Sequence, residues 1–321
     1  MAYLVTGGTG LVGRQVVRLL NHDGEKVVVY DVFPVRESLE PILGKDISST
    51  IEIVRGDVSD LALLMRTVQK YNVERIIHLA TCTSTLCEEN PLLAVQVNCI
   101  GTLNIFETAK ILGLNKVVWS STGMIFGPPE KYDQEYLSDD APHYPPNIYA
   151  ACKSFNEVAT KHYFTKHGVD CIAIRLGKVY GAPWKGGSVF PLSGSTVITE
   201  ELIVKPALGK PGVVPSGDAT LNWLYVEDAA RALVMASRAA TTKTKAFNLN
   251  GDIRPMTEAV EYVRKLIPDA KITVLPGLTN SIGRAVKYDA TRAKEEIGFE
   301  PQWKMEEGIK RVIEEVREQF R

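Results

Sequence analysis

Tyr149 and Lys153 stand four residues apart in Tyr149-Ala150-Ala151-Cys152-Lys153, so one turn of helix places both on the same face. An ammonium beside a phenol lowers the phenol's pKa, and a phenolate can take the proton of an alcohol while hydride leaves the same carbon. Taken alone, such a pair is a common feature of exposed helices. Here it follows a glycine-rich turn and then a serine-rich strand end, Ser120-Ser121-Thr122-Gly123-Met124-Ile125-Phe126-Gly127. That order makes proton and hydride movement at a secondary alcohol the sharper reading.

Hydride chemistry needs a carrier, and the N-terminus offers a place for one. The strand Tyr3 to Thr6 runs into Gly7-Gly8-Thr9-Gly10-Leu11-Val12-Gly13 and then into a helix. Small residues in that turn let the backbone approach a pyrophosphate and aim the helix N-terminus at its charge. Gly7, Gly10, Leu11, Val12 and Gly13 are therefore candidate dinucleotide contacts. Asp31 closes the second strand, where a carboxylate can accept from both hydroxyls of the adenosine ribose. A carboxylate there repels the 2′-phosphate of NADP, which favours NAD, although Arg36 lies close in sequence. Asp57 and Val58 after the third strand, Leu79, Ala80 and Thr81 after the fourth, and Asn98 in the next helix continue the same path. His78, inside the apolar run Ile76-Ile77-His78-Leu79-Ala80, reads as an interior histidine.

These residues must be placed by an alternation of strands and helices. Strands are expected at Tyr3 to Thr6, Val27 to Tyr30, Ile51 to Arg55, Arg75 to Leu79, Lys116 to Trp119 and Asp170 to Arg175. Helices are expected over Gly10 to Asn21, Asp60 to Tyr71, Pro91 to Leu112 and Tyr149 to His167. Such alternation gives an α/β, Rossmann-type doubly wound parallel sheet, here over residues 1–180. From Gly181 to Gly217 the chain is rich in glycine and proline, with one helix around Thr199 to Leu208. Residues 181–321 are read as mainly a smaller substrate-binding lobe, with some segments returning to the first domain and a final charged helix at Met305 to Phe320.

Apolar residues make up 45% of the chain and charged residues 23%, and the net charge is −1, so nothing suggests nucleic-acid binding. The five cysteines form no CxxC pair, which argues against a disulfide framework and against a metal site. The first residues enter a strand directly, and no uninterrupted apolar window of spanning length is found. A cytoplasmic protein with no membrane partner is expected.

Taken together, TGGTGLVG, the DV of GDV, HLA, VNCIGTLNIFE, SSTGMIFG, YAACK, RLGKVYG, NWLYVEDAA and KYDATRAKEEIGFEPQW resemble the extended short-chain dehydrogenase/reductases, in particular the NAD-dependent epimerase/dehydratase family. The resemblance covers nearly the whole chain. It implies that Thr122 hydrogen-bonds the reacting oxygen, with Ser121 as understudy, and that Lys153 also meets the nicotinamide ribose. It further implies cofactor contacts at Ser120, Leu176 and Val179.

Departures from the family pattern narrow the chemistry. Its 4,6-dehydratases carry an Asp-Glu pair after the catalytic Thr, where Gly123 and Met124 stand here, so water elimination is not expected. Its nucleotide-sugar epimerases carry an Arg where Asn222 stands and an Asn where Lys178 stands. Lys178 can meet a phosphate as a point charge, but Asn222 lacks the bidentate fork. Ser121, Thr122, Gly123, Lys178, Ser188 and Asn222 are the candidate substrate contacts. Three readings result: a sugar or nucleotide-sugar epimerase, a net dehydrogenase of a small polar hydroxy compound, and, last, a non-catalytic NAD(H) sensor. Surplus apolar residues on Pro91 to Leu112 (Leu92, Val95, Ile100, Leu103, Ile105, Phe106) and on Tyr149 to His167 (Phe155, Val158, Tyr163), together with the resemblance, suggest a homodimer paired through these helices.

Overall fold

The computed structural model describes residues 1–44, 51–184, 195–278 and 287–320. Its strands are β1 (Ala2–Thr6), β2 (Lys26–Asp31), β3 (Ile51–Arg55), β4 (Arg75–His78), β5 (Lys116–Thr122), β6 (Tyr136–Leu137), β7 (Cys171–Leu176), β8 (Lys178–Tyr180), β9 (Gly212–Val214), β10 (Thr220–Tyr225), β11 (Ala246–Asn248), β12 (Asp252–Pro255), β13 (Ile272–Val274) and β14 (Lys287–Tyr288). Seven of them form one parallel sheet in the order β11-β7-β5-β4-β1-β2-β3. From β1 the chain winds outward through β2 and β3, then returns to the other side of β1 and winds through β4, β5, β7 and β11. The expected doubly wound Rossmann architecture is therefore present. Its switch point lies between β1 and β4, the place where such sheets open a crevice beyond their carboxyl ends.

Period-two alternation fills both faces of the sheet. Tyr3, Val5, Val27, Val29, Ile77, Val118 and Ile172 point to one hydrophobic core, whereas Leu4, Val28, Ile76, Val117, Trp119 and Cys171 point to the other. The first core is closed by the helices Leu11–His22 and Val226–Arg238, which pack on each other. The second is closed by Leu61–Lys70, Pro91–Leu112 and Ile148–His167.

The helix Pro91–Leu112 departs from its expected form in two ways. Its Val95–Gly101 stretch is a π-helix, a widened turn that sets Asn98 toward the fourth loop. At 22 residues it is also long and apolar enough to cross a membrane by length and composition, although 44% of its most apolar window is buried in the fold. A search for uninterrupted apolar runs passes over it because Asn98, Thr102 and Asn104 interrupt the sequence.

Beyond residue 181 the helix Val226–Arg238 and strand β11 join the central sheet. The remainder builds a three-stranded sheet, β12-β10-β8, and two-stranded pairs β9 with β13 and β14 with β6. Arg14, on the first turn of Leu11–His22, ties its guanidinium to the Ala182 carbonyl at the entrance to this part of the chain.

Candidate active site

The glycine turn sits at the switch point. Gly7 has φ +65°, and a Cβ there would come within 2.8 Å of the Ala80 nitrogen; one on Gly13 would overlap the Gly7 carbonyl oxygen. Both positions must be glycine because the helix entrance and the end of β4 approach so closely. The helix Leu11–His22 starts at Gly10 with no side-chain cap and no acid in its first turn, so its first N–H groups are left for a ligand. Such a cradle, open to an anion and walled by backbone, fits a dinucleotide pyrophosphate. Leu11 and Val12 lie half-buried against the first core, at the start of that helix.

Asp31 ends β2 over this turn. Its carboxylate accepts from Thr9 Oγ1 at 2.7 Å, from Thr9 N at 3.3 Å and from Phe33 N at 3.2 Å. These donors hold it at the edge of the cradle, where ribose hydroxyls can be met. Arg36 is exposed in the short turn beyond. Asp57 is exposed after β3, its carboxylate accepting from Ser59 N at 2.8 Å, and Val58 is buried against Gly101.

Leu79 N and Ala80 N both lie against Thr6 Oγ1, at 3.2 and 3.3 Å. Thr81 Oγ1 donates to Asn98 Oδ1 at 2.9 Å, Cys82 N donates to the same oxygen at 2.7 Å, and Asn98 Nδ2 donates to Cys82 O at 3.0 Å. Asn98 is thus buried and commits its amide to the loop. Its hydrogen bonds fix residues 81–82, on the expected cofactor path, in place. His78 bridges Thr6 Oγ1 at 2.7 Å and Thr102 Oγ1 at 3.1 Å; fully buried, its pKa is pushed down to about 3, so it is a neutral interior residue.

The catalytic candidates meet at the end of β5. Asn147 caps the helix Ile148–His167, its Oδ1 accepting from Ala150 N at 2.9 Å, which fixes the helix start one residue before Tyr149. Thr122 ends β5 beside the Tyr149 side chain, close enough for its hydroxyl to hold the phenol's pKa down. Lys153 is 3% exposed, donates to Ser120 O at 2.7 Å and lies 5.7 Å from the Tyr149 ring centroid. One expectation needs correction here. Burial raises the Tyr149 phenol above its ordinary value, and the Thr122 hydrogen bond, not Lys153, is the influence that lowers it. Burial also pushes the Lys153 ammonium down to about 8. Desolvation disfavours both charged forms, which is why it outweighs the helical pairing that the spacing suggested.

Ser121 faces away from Tyr149. Strand alternation turns it inward, where Ser121 Oγ donates to Glu157 Oε1 at 2.6 Å. Glu157 in turn receives Arg175 through Nε at 2.9 Å and Nη2 at 2.7 Å, and Arg175 Nη1 reaches Asp139 O and Asn248 Oδ1. Burial lifts the nearby Asp139 carboxyl to about 6. This buried network, absent from the sequence reading, binds the tip of β5 to the Tyr149 helix and to β7. Its one legible signal is that Glu157 continues the four-residue spacing of Tyr149 and Lys153.

Asn222, expected as a substrate contact, is placed with its amide committed to the backbone. It is 4% exposed, donates through Nδ2 to Leu249 O at 3.0 Å and accepts from Gly251 N at 2.6 Å, so it holds that loop in place. Lys178 is half-buried on β8 beside Trp223, and burial pushes its ammonium down to about 8. Val179 is buried, Ser120 and Leu176 are half-buried, and Ser188 lies outside the described residues. Gly123 is closely approached by a residue that the sequence reading missed: a Cβ on it would overlap the Tyr288 hydroxyl.

A dinucleotide cradle at the switch point and a Thr-Tyr-Lys group at the next strand end define an NAD-dependent oxidoreductase of the extended short-chain type. The chain belongs to the NAD dependent epimerase/dehydratase family, whose model matches residues 3–250. It is 29% identical to the UDP-glucose 4-epimerase of Mycolicibacterium smegmatis over 319 residues, covering 98% of each chain. Among solved structures it is similar to the UDP-glucose 4-epimerase of Thermus thermophilus in complex with NAD (TM-score 0.84, 24% identity, 99% of each chain covered). It is also similar to the L-threonine dehydrogenase of Clostridium difficile (TM-score 0.80, 23% identity, 99% and 98% covered).

Proposed function

We propose that the chain is a nucleotide-sugar epimerase that oxidises one secondary alcohol carbon of a UDP-sugar and reduces it again from the other face. The meeting of Thr122, Tyr149 and Lys153 above the Gly7–Gly13 cradle carries this reading, and the full-length likeness to a UDP-glucose 4-epimerase supports it. Tyr149 takes the proton of the reacting hydroxyl and returns it to the same oxygen in the second half-reaction. Thr122 holds that oxygen in register and is also the group that favours the phenolate, while Lys153, fixed on Ser120 O, stands beside the Tyr149 ring. NAD, when bound, supplies the acceptor and donor of the hydride. Gly123 and Met124 have no titratable group, so these two positions supply neither the acid nor the base that water elimination requires.

A second reading, net oxidation of a small polar alcohol, is favoured by one observation. Asn222 is turned inward and contributes nothing to a diphosphate, which leaves Lys178 as the cation among the candidate substrate residues. The two readings separate in one assay. An epimerase converts UDP-glucose with no added NAD and no net change at the nicotinamide absorbance band. A dehydrogenase needs NAD in proportion to the product formed.

We also propose a cytoplasmic homodimer. Leu92 is 84% exposed, Val158 66%, and Val95, Ile100 and Phe155 between 40% and 47%, on adjacent helices. A second copy is the commonest cover for such a surface. Ile105, Phe106 and Tyr163 drop out of this face, because all three are buried in the second core.

A further inference from the structure

Tyr288 is far from Thr122 in sequence and next to it in space. Its strand β14 pairs with β6, Asp289 N donates to Leu137 O at 2.8 Å, and Asn250 Nδ2 donates to Tyr288 O at 2.7 Å. Its ring packs on Phe126 at 5.6 Å between centroids, in a small cluster with Ile125 and Leu137. Backbone and ring are therefore held from several directions, and the residue is 8% exposed.

The hydroxyl is the exception. It lies where a side chain on Gly123 would begin, one residue along from Thr122, and among the described residues it makes no hydrogen bond. A phenylalanine would fill the ring's place in the cluster equally well. The Tyr288 hydroxyl is not among the side-chain polar atoms closed off without a partner, so a rigidly held ring presents it to accessible space beside Gly123, where a ligand can meet it. Burial raises its pKa, so the group stays a neutral donor and acceptor.

We infer that the Tyr288 hydroxyl is a further substrate-binding group of this site, holding a substrate hydroxyl one or two carbons away from the reacting carbon. The inference rests on the epimerase reading and deepens it. Thr122 and Tyr149 hold the reacting oxygen, and a neutral hydroxyl placed one residue further along suits a second oxygen on the same sugar ring. It selects polyhydroxylated, carbohydrate-type substrates over alcohols whose neighbouring carbon bears no hydroxyl. It also gives Gly123 a reason: any Cβ there would displace the Tyr288 oxygen.

The test compares wild type, Tyr288→Phe and Gly123→Ala on UDP-glucose and on its 3-deoxy and 6-deoxy analogues, with bound NAD and thermal midpoint measured for each protein. The expected result is a fall of roughly tenfold in kcat/KM for Tyr288→Phe on UDP-glucose, the scale of one neutral hydrogen bond, with folding and NAD content unchanged. That penalty disappears on one of the two deoxy analogues. Gly123→Ala, which presses on the same oxygen, falls in the same direction. A Tyr288→Phe protein as active as wild type, or equally impaired on all three sugars, overturns the assignment while leaving the epimerase reading standing. Wild-type protein that converts none of the three contradicts both.

Discussion

Tyr149 lies in surroundings that make its phenol harder to ionise, and the same burial makes Lys153 easier to deprotonate. Lys153 Nζ lies 5.7 Å from the Tyr149 ring centroid, and burial shifts each group separately. The Lys153 ammonium is placed at about 8. Lys153, beside Tyr149, gives up its proton close to neutral pH, and its free amine can accept the substrate proton passed on by Tyr149, so the rate of alcohol oxidation is expected to rise with pH through that value and then level off. Lys153→Ala removes this titrating group and should abolish or displace the limb; a limb unchanged in that variant's pH–rate profile speaks against the assignment. Tyr149→Phe deletes only the proton-carrying hydroxyl. Turnover should drop by at least about 10²- to 10⁴-fold, with NAD binding and the unfolding transition unchanged. Near-normal turnover in that variant would remove Tyr149 from the mechanism. Asp31 holds two Thr9 donors at the edge of the cradle. Asp31→Ala should weaken NAD far more than NADP, as titration by fluorescence quenching can measure.

Two strand ends and one helix start set the geometry of the site. β1 and β4 are locked in register, Thr6 opposite His78, and the imidazole bridges Thr6 to Thr102 beneath the loop that carries Leu79 and Ala80. Because His78 titrates near 3 when folded and near 6.5 when unfolded, the unfolded chain binds the extra proton first as pH falls. Its contribution to stability is complete above about 6.5 and is lost progressively between about 6.5 and 3. Urea unfolding of wild type and His78→Gln at pH 7 and pH 5 should show the wild type losing more stability than the variant; parallel losses would place the titration elsewhere. The strands and helices of the first half were legible because period-two and period-3.6 patterns are strong over β1 to β5 and the helices between them. Which way a residue faces at a strand end was not. Ser121 and Thr122 are equivalent in sequence, and only packing against Glu157 separates them. Tyr288 was illegible for a related reason: its partner is Gly123, and no local pattern reports a contact between segments so distant in the chain.

Across the whole molecule, the exposed apolar face of Pro91–Leu112 and Ile148–His167 is the feature that a second copy would cover. Phe106 shows where sequence periodicity misleads. A helix with two apolar faces does not reveal which one meets the sheet, and this ring packs on Trp119 and Tyr163 in the core. Truncating such a residue costs about 3–5 kcal/mol, so a charge at Phe106 would test folding and not assembly. Val158→Glu is the better probe. Light scattering should give the wild type twice 35.4 kDa at micromolar concentration and the variant a single mass; a monomeric wild type would refute the dimer. The central claim is that one carbon loses a hydride to bound NAD and receives the same hydride back. It is tested most directly by incubating the protein, without added NAD, with UDP-glucose carrying deuterium at C4, and reading the epimeric product by NMR. Product that keeps its deuterium at C4 is the expected result; product formed with the label exchanged into solvent would contradict hydride return and assign the reaction to proton abstraction instead.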